Sequence, residues 1–479
     1  MIQSEALALL EWSRLCQHLA TFTATKLGAI AARQLTLSAS QTESERLLAE
    51  TAEALQLDQQ PPGLKFAGIQ DIGDALERAR RQGLLQPAEL LDIATTLAGA
   101  RQLRRAIDGF EADELPTLSQ LVAPLRTYPE LEQDIHYCID DRGKVTDRAT
   151  PKLGGIREQL KAQRSQIYQK LNNILQQHSN AIQEAVITQR GDRFVIPVKA
   201  PQKDAISGIV HDASTSGATL YIEPNSIIQM GNRLRQLQRQ EQVEEEAVCR
   251  ALTAKVAEVA DDLEDLLRIV TVLDLATARA RYGEWLGANA PRFVTTGEQT
   301  TLRKLRHPLL VWQQRHEQGS EVVPIDVLVN PRTRVVAITG PNTGGKTVTL
   351  KTLGLAALMA KAGLYVPARE PVEIPWFDQV LADIGDEQSI EQSLSTFSGH
   401  IKRISRILAA IQPSPVSSQT QEDGQLSAIN HPLLAANQET ASSPVTDETT
   451  PISSPTVPPT PTGRGGARGR EKRSAAGGR

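Results

Sequence analysis

Gly340-Pro341-Asn342-Thr343-Gly344-Gly345-Lys346-Thr347 satisfies the pattern G-x-x-x-x-G-K-[ST] at every constrained position. Glycines there let the backbone curl so that several N–H groups converge on anionic oxygens, and a helix opening behind them adds the partial positive charge of its N-terminus. The flanks agree. Val335-Val336-Ala337-Ile338 reads as a buried strand, and Thr347 to Ala362 has helical periodicity without a proline. Strand, glycine turn and helix in that order describe a nucleotide site, with ATP and magnesium as its expected ligands. Lys346 is placed to reach the β- and γ-phosphates, and Thr347 to offer its hydroxyl to the metal. A tight glycine turn beside a solvated lysine would use the same residues but leaves the strand and helix unexplained.

The rest of the chain must carry that site. Its 479 residues allow two to four domains, and 40% apolar residues support real cores. Aromatics are only 4% while Leu, Ala, Glu, Gln and Arg abound, which favours long helices over sheet sandwiches. No run of 18 apolar residues exists, and no basic start followed by an apolar stretch opens the chain, so a cytoplasmic protein without membrane contact is expected. Cys16, Cys138 and Cys249 are far apart and form no C-x-x-C pair, which suggests buried structural thiols rather than disulfides or zinc.

Residues 1–130 read as helices, on faces such as Leu7, Leu10, Leu15, Leu19 and Leu90, Ile93, Ala94, Leu97. A long helix is expected from Pro151 to Thr188, with a stripe from Leu153 through Ile182 and Val186. Its mate would be one helix from Asn225 to Leu286, spanning on the order of 90 Å. The seam Leu252, Val256, Val259, Leu263, Leu266, Val270, Leu273 runs along it, and its polar stretch Arg235–Glu246 is expected to bridge solvent. Between the two lies a β-rich insert, 188–223, with strands at Phe194–Ile196, Ile206–His211 and Ala218–Ile222. Residues 152–203 carry nine Lys or Arg against three acids. Arg190, Arg193, Lys199 and Lys203 at the tip are therefore candidate nucleic-acid contacts, through phosphates rather than bases. A solvated helix face is the plainer reading of the same charges.

The lobe around the phosphate loop adds Gly363-Leu364-Tyr365-Val366-Pro367-Ala368, then Ala382-Asp383-Ile384-Gly385-Asp386-Glu387-Gln388-Ser389, then Ser395-Thr396-Phe397-Ser398-Gly399-His400. Together these resemble the MutS family, and their wording looks most like its second bacterial class, over residues 1–411. The resemblance implies a mixed α and α/β fold. It comprises a helical core and lever (1–150), an antiparallel coiled-coil clamp arm with a β-rich tip (151–286) and an incomplete ABC-like phosphate-loop ATPase lobe (287–411). It implies a homodimer, in which Ser395 faces the γ-phosphate held by the other copy; by itself Ser395 is a helix cap. It implies a nucleic-acid target, either branched or duplex DNA in suppressing recombination, or rRNA of collided ribosomes.

Val322-Val323 stand where family members contact adenine, though they are equally core residues by type. Arg306-His307-Pro308 matches a family stretch and alone reads as a turn with a structural histidine. The mismatch-reading domain, the Walker B strand and the nuclease-like Smr domain of the family have no counterpart in the sequence, and Asp386-Glu387 precede Ser395–His400, the signature segment of the resemblance. Nucleotide binding with little or no hydrolysis is the expectation, and a non-catalytic interaction protein is the alternative. Residues 412–479, rich in Pro, Ser and Thr and then in Gly and Arg, are expected to be disordered.

Overall fold

The computed structural model describes residues 2–61, 63–295, 297–317, 319–341, 344–384 and 393–411. The expected disordered tail and the Asp386-Glu387 segment lie outside them.

The chain opens with α1 (Ile2–Leu9), α2 (Trp12–Ala20), α3 (Lys26–Arg33), α4 (Gln41–Gln59), α5 (Gly73–Arg80), α6 (Pro87–Asp108), α7 (Pro116–Val122) and α8 (Pro129–Cys138). Starts are written locally. Thr25 and Ser40 accept from the Gly28 and Glu43 backbone N–H groups, and prolines occupy the first turn of α6, α7 and α8, where a missing N–H costs nothing.

Next come α9 (Pro151–Gln177), β1 (Thr188–Arg190), β2 (Arg193–Lys199), β3 (Gly208–Ala213), β4 (Thr219–Pro224), α10 (Asn225–Glu258) and α11 (Ala260–Leu286). The strands pair antiparallel in the order β1-β2-β4-β3. Helix α9 ends earlier than its apolar stripe suggests. The chain turns at His178 and Ile182 bridges to Val198, so Ile182 is buried against β2 rather than on the helix.

Helices α9 and α10 run antiparallel: Lys152 pairs with Glu244, Arg157 with Glu241 (2.8 Å) and Glu245 (2.6 Å), and the Gln163 amide reaches the Met230 carbonyl (3.3 Å). The polar stretch Arg235–Glu246 is thus no solvent bridge; its acids meet the bases of α9, and Leu237 within it is buried. The expected continuous helix 225–286 also breaks, at Val259 (φ −115°, ψ 11°). Asp261 and Asp262 fall in the new first turn of α11, where negative charge is favoured, and Asp262 accepts from Arg126 (3.1 Å) and Tyr128.

The last part holds β5 (Pro291–Val294), β6 (Thr300–Leu305), α12 (Pro308–His316), β7 (Ile325–Val329), α13 (Lys346–Lys361), β8 (Arg369–Pro375) and α14 (Ser393–Ile411). Its sheet has the order β5-β8-β6-β7, parallel only between β5 and β8.

Three apolar cores result. One joins α4–α8 to the facing parts of α10 and α11; another fills the space between α9, α10 and the β tip. The third joins Leu10, Trp12, Leu15 and Ala32 to α11, α12, α13 and the second sheet. The first three helices, grouped by sequence with the helical region 1–150, therefore pack with α12, α13 and the second sheet. Helix α11 contributes to two of the cores. Cys16 and Cys249 are buried and Cys138 half-buried, and burial pushes the Cys16 thiol up to about 12.

Candidate nucleotide site and arm

The phosphate loop is built by its glycines. Gly340 (φ 147°) and Gly345 (φ 81°) hold backbone conformations that a Cβ would strain, and the Gly344 N–H closes a turn onto the Pro341 carbonyl (2.9 Å). Gly345, which has no side chain, stands at the N-cap of α13 (φ 81°, ψ 11°). Lys346 donates from Nζ to the Gly340 carbonyl (2.6 Å), folding over the loop, and Thr347 is exposed on the first turn. Asn342 and Thr343 lie outside the described residues.

The other end of α13 is fastened. Ser38 donates to the Lys361 carbonyl (2.6 Å), Thr51 to that of Gly363 (2.7 Å) and Arg279 to that of Ala362 (3.3 Å). Gly363 (φ 74°) closes the helix where a Cβ would stand 2.5 Å from that of Leu47.

The buried strand expected at Val335–Ile338 is not formed: the segment lies in no strand, with Val335 81% and Val336 57% exposed. A strand needs a neighbour to pair its N–H and C=O groups, and among the described residues none lies alongside it.

Beneath the loop lies a cavity of about 390 Å³ that brings Gly344 and Gly345 together with Val322, Val323 and His307. Val323 is 81% exposed and so not a core residue, while Val322 packs partly against the third core. His307 starts α12; burial holds its imidazole down at about 4, and its Nδ1 is buried without a partner. Sequence reading passed over His307 as a site residue, since only the fold brings it to the loop.

Helix α14 carries the signature segment, and Ser395 lies in its described first turn rather than before it; the Ser395 side chain is outside the described residues. Asp383 accepts from Arg403 (2.6 Å) and His400 (2.8 Å). Burial opposes its ionisation, yet these two donors hold its carboxyl below the usual range. Arg406 pairs with Glu5, tying α14 to α1.

At the tip, the four candidate bases are not equivalent. Arg193 is spent on the buried Glu223 carboxylate (3.0 Å), which also meets His211 Nε2 (2.7 Å). Arg190 pairs with Asp212 (2.8 Å) and lies over the Tyr221 ring at 3.8 Å. Lys199 donates to the Asn180 carbonyl (3.0 Å), and Lys203 is exposed on the turn between β2 and β3. The surplus of positive charge read from 152–203 is therefore smaller on the surface, because α10 supplies acids to Lys152 and Arg157. Lys161, Arg164 and Lys170 remain exposed on α9. The first two line a groove with Tyr168, whose ring packs edge-on to Phe194 at 5.3 Å.

Residues 336–416 match the family model described as MutS domain V. The chain is 59% identical over 436 residues to the endonuclease MutS2 of Synechocystis sp., covering 90% of this chain and 52% of that protein. It is 39% identical over 430 residues to the endonuclease MutS2 of Thermomicrobium roseum (87% and 53%) and 41% identical over 414 residues to the putative endonuclease MutS2 of Bacillus subtilis (86% and 52%). The chain spans about half the length of the curated relatives it matches. In class it belongs to the MutS family, and within that family it falls with the MutS2 proteins.

Proposed function

We propose that this chain binds ATP with magnesium through residues 340–347 and grips nucleic acid along its helical arm, mainly through phosphates. The observation that carries the first part is the glycine turn with Gly340 at φ 147° and Gly345 at φ 81°, which opens directly into α13. The backbone N–H groups of that turn, the Lys346 ammonium and the Thr347 hydroxyl are the donor types a nucleotide and its metal require. Lys346 would release the Gly340 carbonyl to meet the β- and γ-phosphates, and Thr347 would hold magnesium, which neutralises phosphate charge when bound.

Family membership and the exposed Lys161, Arg164, Lys170 and Lys203 support the second part. Duplex or branched DNA suits such a surface, because a row of bases without a base-reading element recognises backbone. The word endonuclease belongs to the relatives' names; the residues described here support binding. In this reading two copies share each nucleotide site through the α14 helix that carries Ser395, and the arms act as a clamp. No helix among the described residues is long and apolar enough to cross a membrane.

The test is equilibrium binding of a fluorescent ATP analogue with magnesium, expected to be saturable in the wild-type chain and lost in Lys346→Ala. Binding that survives this substitution sinks the nucleotide reading. For the arm, Lys161→Glu/Arg164→Glu should weaken DNA binding at low salt and flatten its salt dependence. Unchanged affinity moves the contact elsewhere.

A further inference from the structure

The groove along α9 holds an aromatic ring that phosphate contacts leave unused. Lys161, Arg164 and Tyr168 follow one another at steps of three and four, so they share one face of the helix, and all three line the same groove of about 810 Å³. Both cations are exposed, and neither has an acidic partner within ion-pair distance among the described residues. The acid of the groove, Glu241, is already held by Arg157 (2.8 Å). Lys161 and Arg164 are therefore left as its uncompensated charges, which suits a phosphate backbone. Tyr168 is 43% exposed, although Ile167 and Leu171 beside it on α9 are fully buried. Its ring meets the buried Phe194 edge-on, with centroids 5.3 Å apart and planes at 70°. That contact holds the ring in place and covers at most one of its faces. An isolated surface tyrosine needs no explanation. One braced by a buried ring, with two unpaired cations one and two turns away, has the parts of a stacking platform in a strand-binding groove.

We propose that this groove takes an unpaired nucleotide, whose base stacks on Tyr168 while Arg164 and Lys161 hold phosphates of the same strand. The inference rests on the nucleic-acid reading of the arm above and adds the kind of DNA it prefers: strands with unpaired bases, such as the arms of a fork, over fully paired duplex. The helical rise sets Arg164 about 6 Å and Lys161 about 10 Å from Tyr168 along the axis, within the reach of long side chains to neighbouring phosphates of one strand. A paired base cannot use the ring. Its faces are covered by its neighbours in the duplex, which presents only base edges in its grooves. Stacking uses the π-face that every base has, so the site selects unpaired bases without selecting a sequence.

The experiment measures fluorescence anisotropy of the full chain with three DNAs: a blunt duplex, the same duplex opened into a fork with oligothymidine arms, and that fork with abasic arms, which keep the phosphates and remove the bases. The wild-type chain should bind the thymidine fork about fivefold or more tighter than the abasic fork, the scale of one stacked base. Tyr168→Ala should bring that ratio close to one, and Tyr168→Trp, which restores a stacking face, should recover it. Lys161→Glu/Arg164→Glu should weaken all three DNAs. A ratio unaltered in a folded Tyr168→Ala overturns the proposal. Should that variant fail to fold, crosslinking of the wild-type chain decides: fork arms carrying iodouracil should attach at Tyr168 on irradiation, and attachment only at other residues refutes the platform. If the wild-type chain binds the two forks equally well, only the stacking assignment falls. If none of the three DNAs binds, the nucleic-acid reading of the arm falls and takes this inference with it.

Discussion

At its C-terminal end α13 is fastened by Ser38, Thr51 and Arg279, which donate to the carbonyls of Lys361, Gly363 and Ala362, whereas its N-terminal end is preceded by Gly345, which has no side chain. Burial follows the same gradient: Leu355 and Leu358 are fully buried, while Val348 is 40% and Leu350 49% exposed. The fastened end fixes the helix to α4 and α11, and the glycine-led end is the one proposed to meet an anion. On the proposed reading one helix is both anchor and site, and substitutions at its two ends should fail in different ways.

The largest effect belongs to the anchored end. Arg279 and Glu50 form an ion pair at 2.7 Å with both side chains 1% exposed. Arg279→Met should cost about 3–5 kcal/mol, because Glu50 loses its fully buried partner, while Arg46, paired with it at 3.2 Å, is 30% exposed. Glu50→Leu with Arg279→Met should recover much of that loss, since two apolar groups replace two desolvated charges. Urea unfolding of the three proteins checks this, and a single variant as stable as wild type would show that the pair is not a fastening. At the glycine-led end, Val348→Ser should change stability by no more than about 0.5 kcal/mol.

The second effect is a dependence on pH. Burial holds His18 at about 4, and its ring is stacked on Trp312 at 3.9 Å, which in turn stacks on His316 at 4.2 Å. Its folded value lies below the ordinary value of about 6.5, so the unfolded chain binds the extra proton first. Stability from the neutral ring is fully present above about pH 6.5 and is lost as pH falls towards about 4, by on the order of 1–3 kcal/mol. His18→Phe keeps the stack and removes the proton site. The difference in stability between the two proteins should therefore move by that amount between pH 7 and pH 4, and a constant difference would refute the buried neutral histidine.

What could be read in advance divides along the same line between local and distant causes. The glycine turn, the start of α13 and the strands at 193–199 and 219–224 were legible because their signals lie within a few residues. The strand at 335–338 was not, since pairing depends on a neighbour that the segment itself does not specify. Arg193 looked like a surface base until Glu223, on another strand, came to lie beside it. The acids of 235–246 looked solvated until α9 placed Arg157 against them. His307 joins the phosphate loop only because α12 and α13 pack on one core, which no spacing in the chain announces. The break at Val259 had a local sign, the paired acids Asp261-Asp262, but the apolar seam running through it was the stronger pattern.

The smallest effect sharpens the contrast between covered and uncovered apolar surface in the nucleotide lobe. On α14, Ile401 (47%), Ile404 (42%), Leu408 (59%) and Ile411 (65%) are exposed and recur at steps of three and four, so they form one stripe along the helix. Leu358 on α13 is fully buried among the third core. Leu358→Ala removes packed methyl groups and should cost about 2–5 kcal/mol. Leu408→Ser removes a side chain that already faces solvent and should stay within about 0.5 kcal/mol of wild type in dilute solution. If the stripe is covered by a second copy in the nucleotide-bound dimer, Leu408→Ser will still unfold like wild type when dilute but lose stability relative to it as concentration rises with ATP present. A large loss at every concentration would instead mean that the stripe is buried within the single chain, and the contrast with Leu358 would disappear.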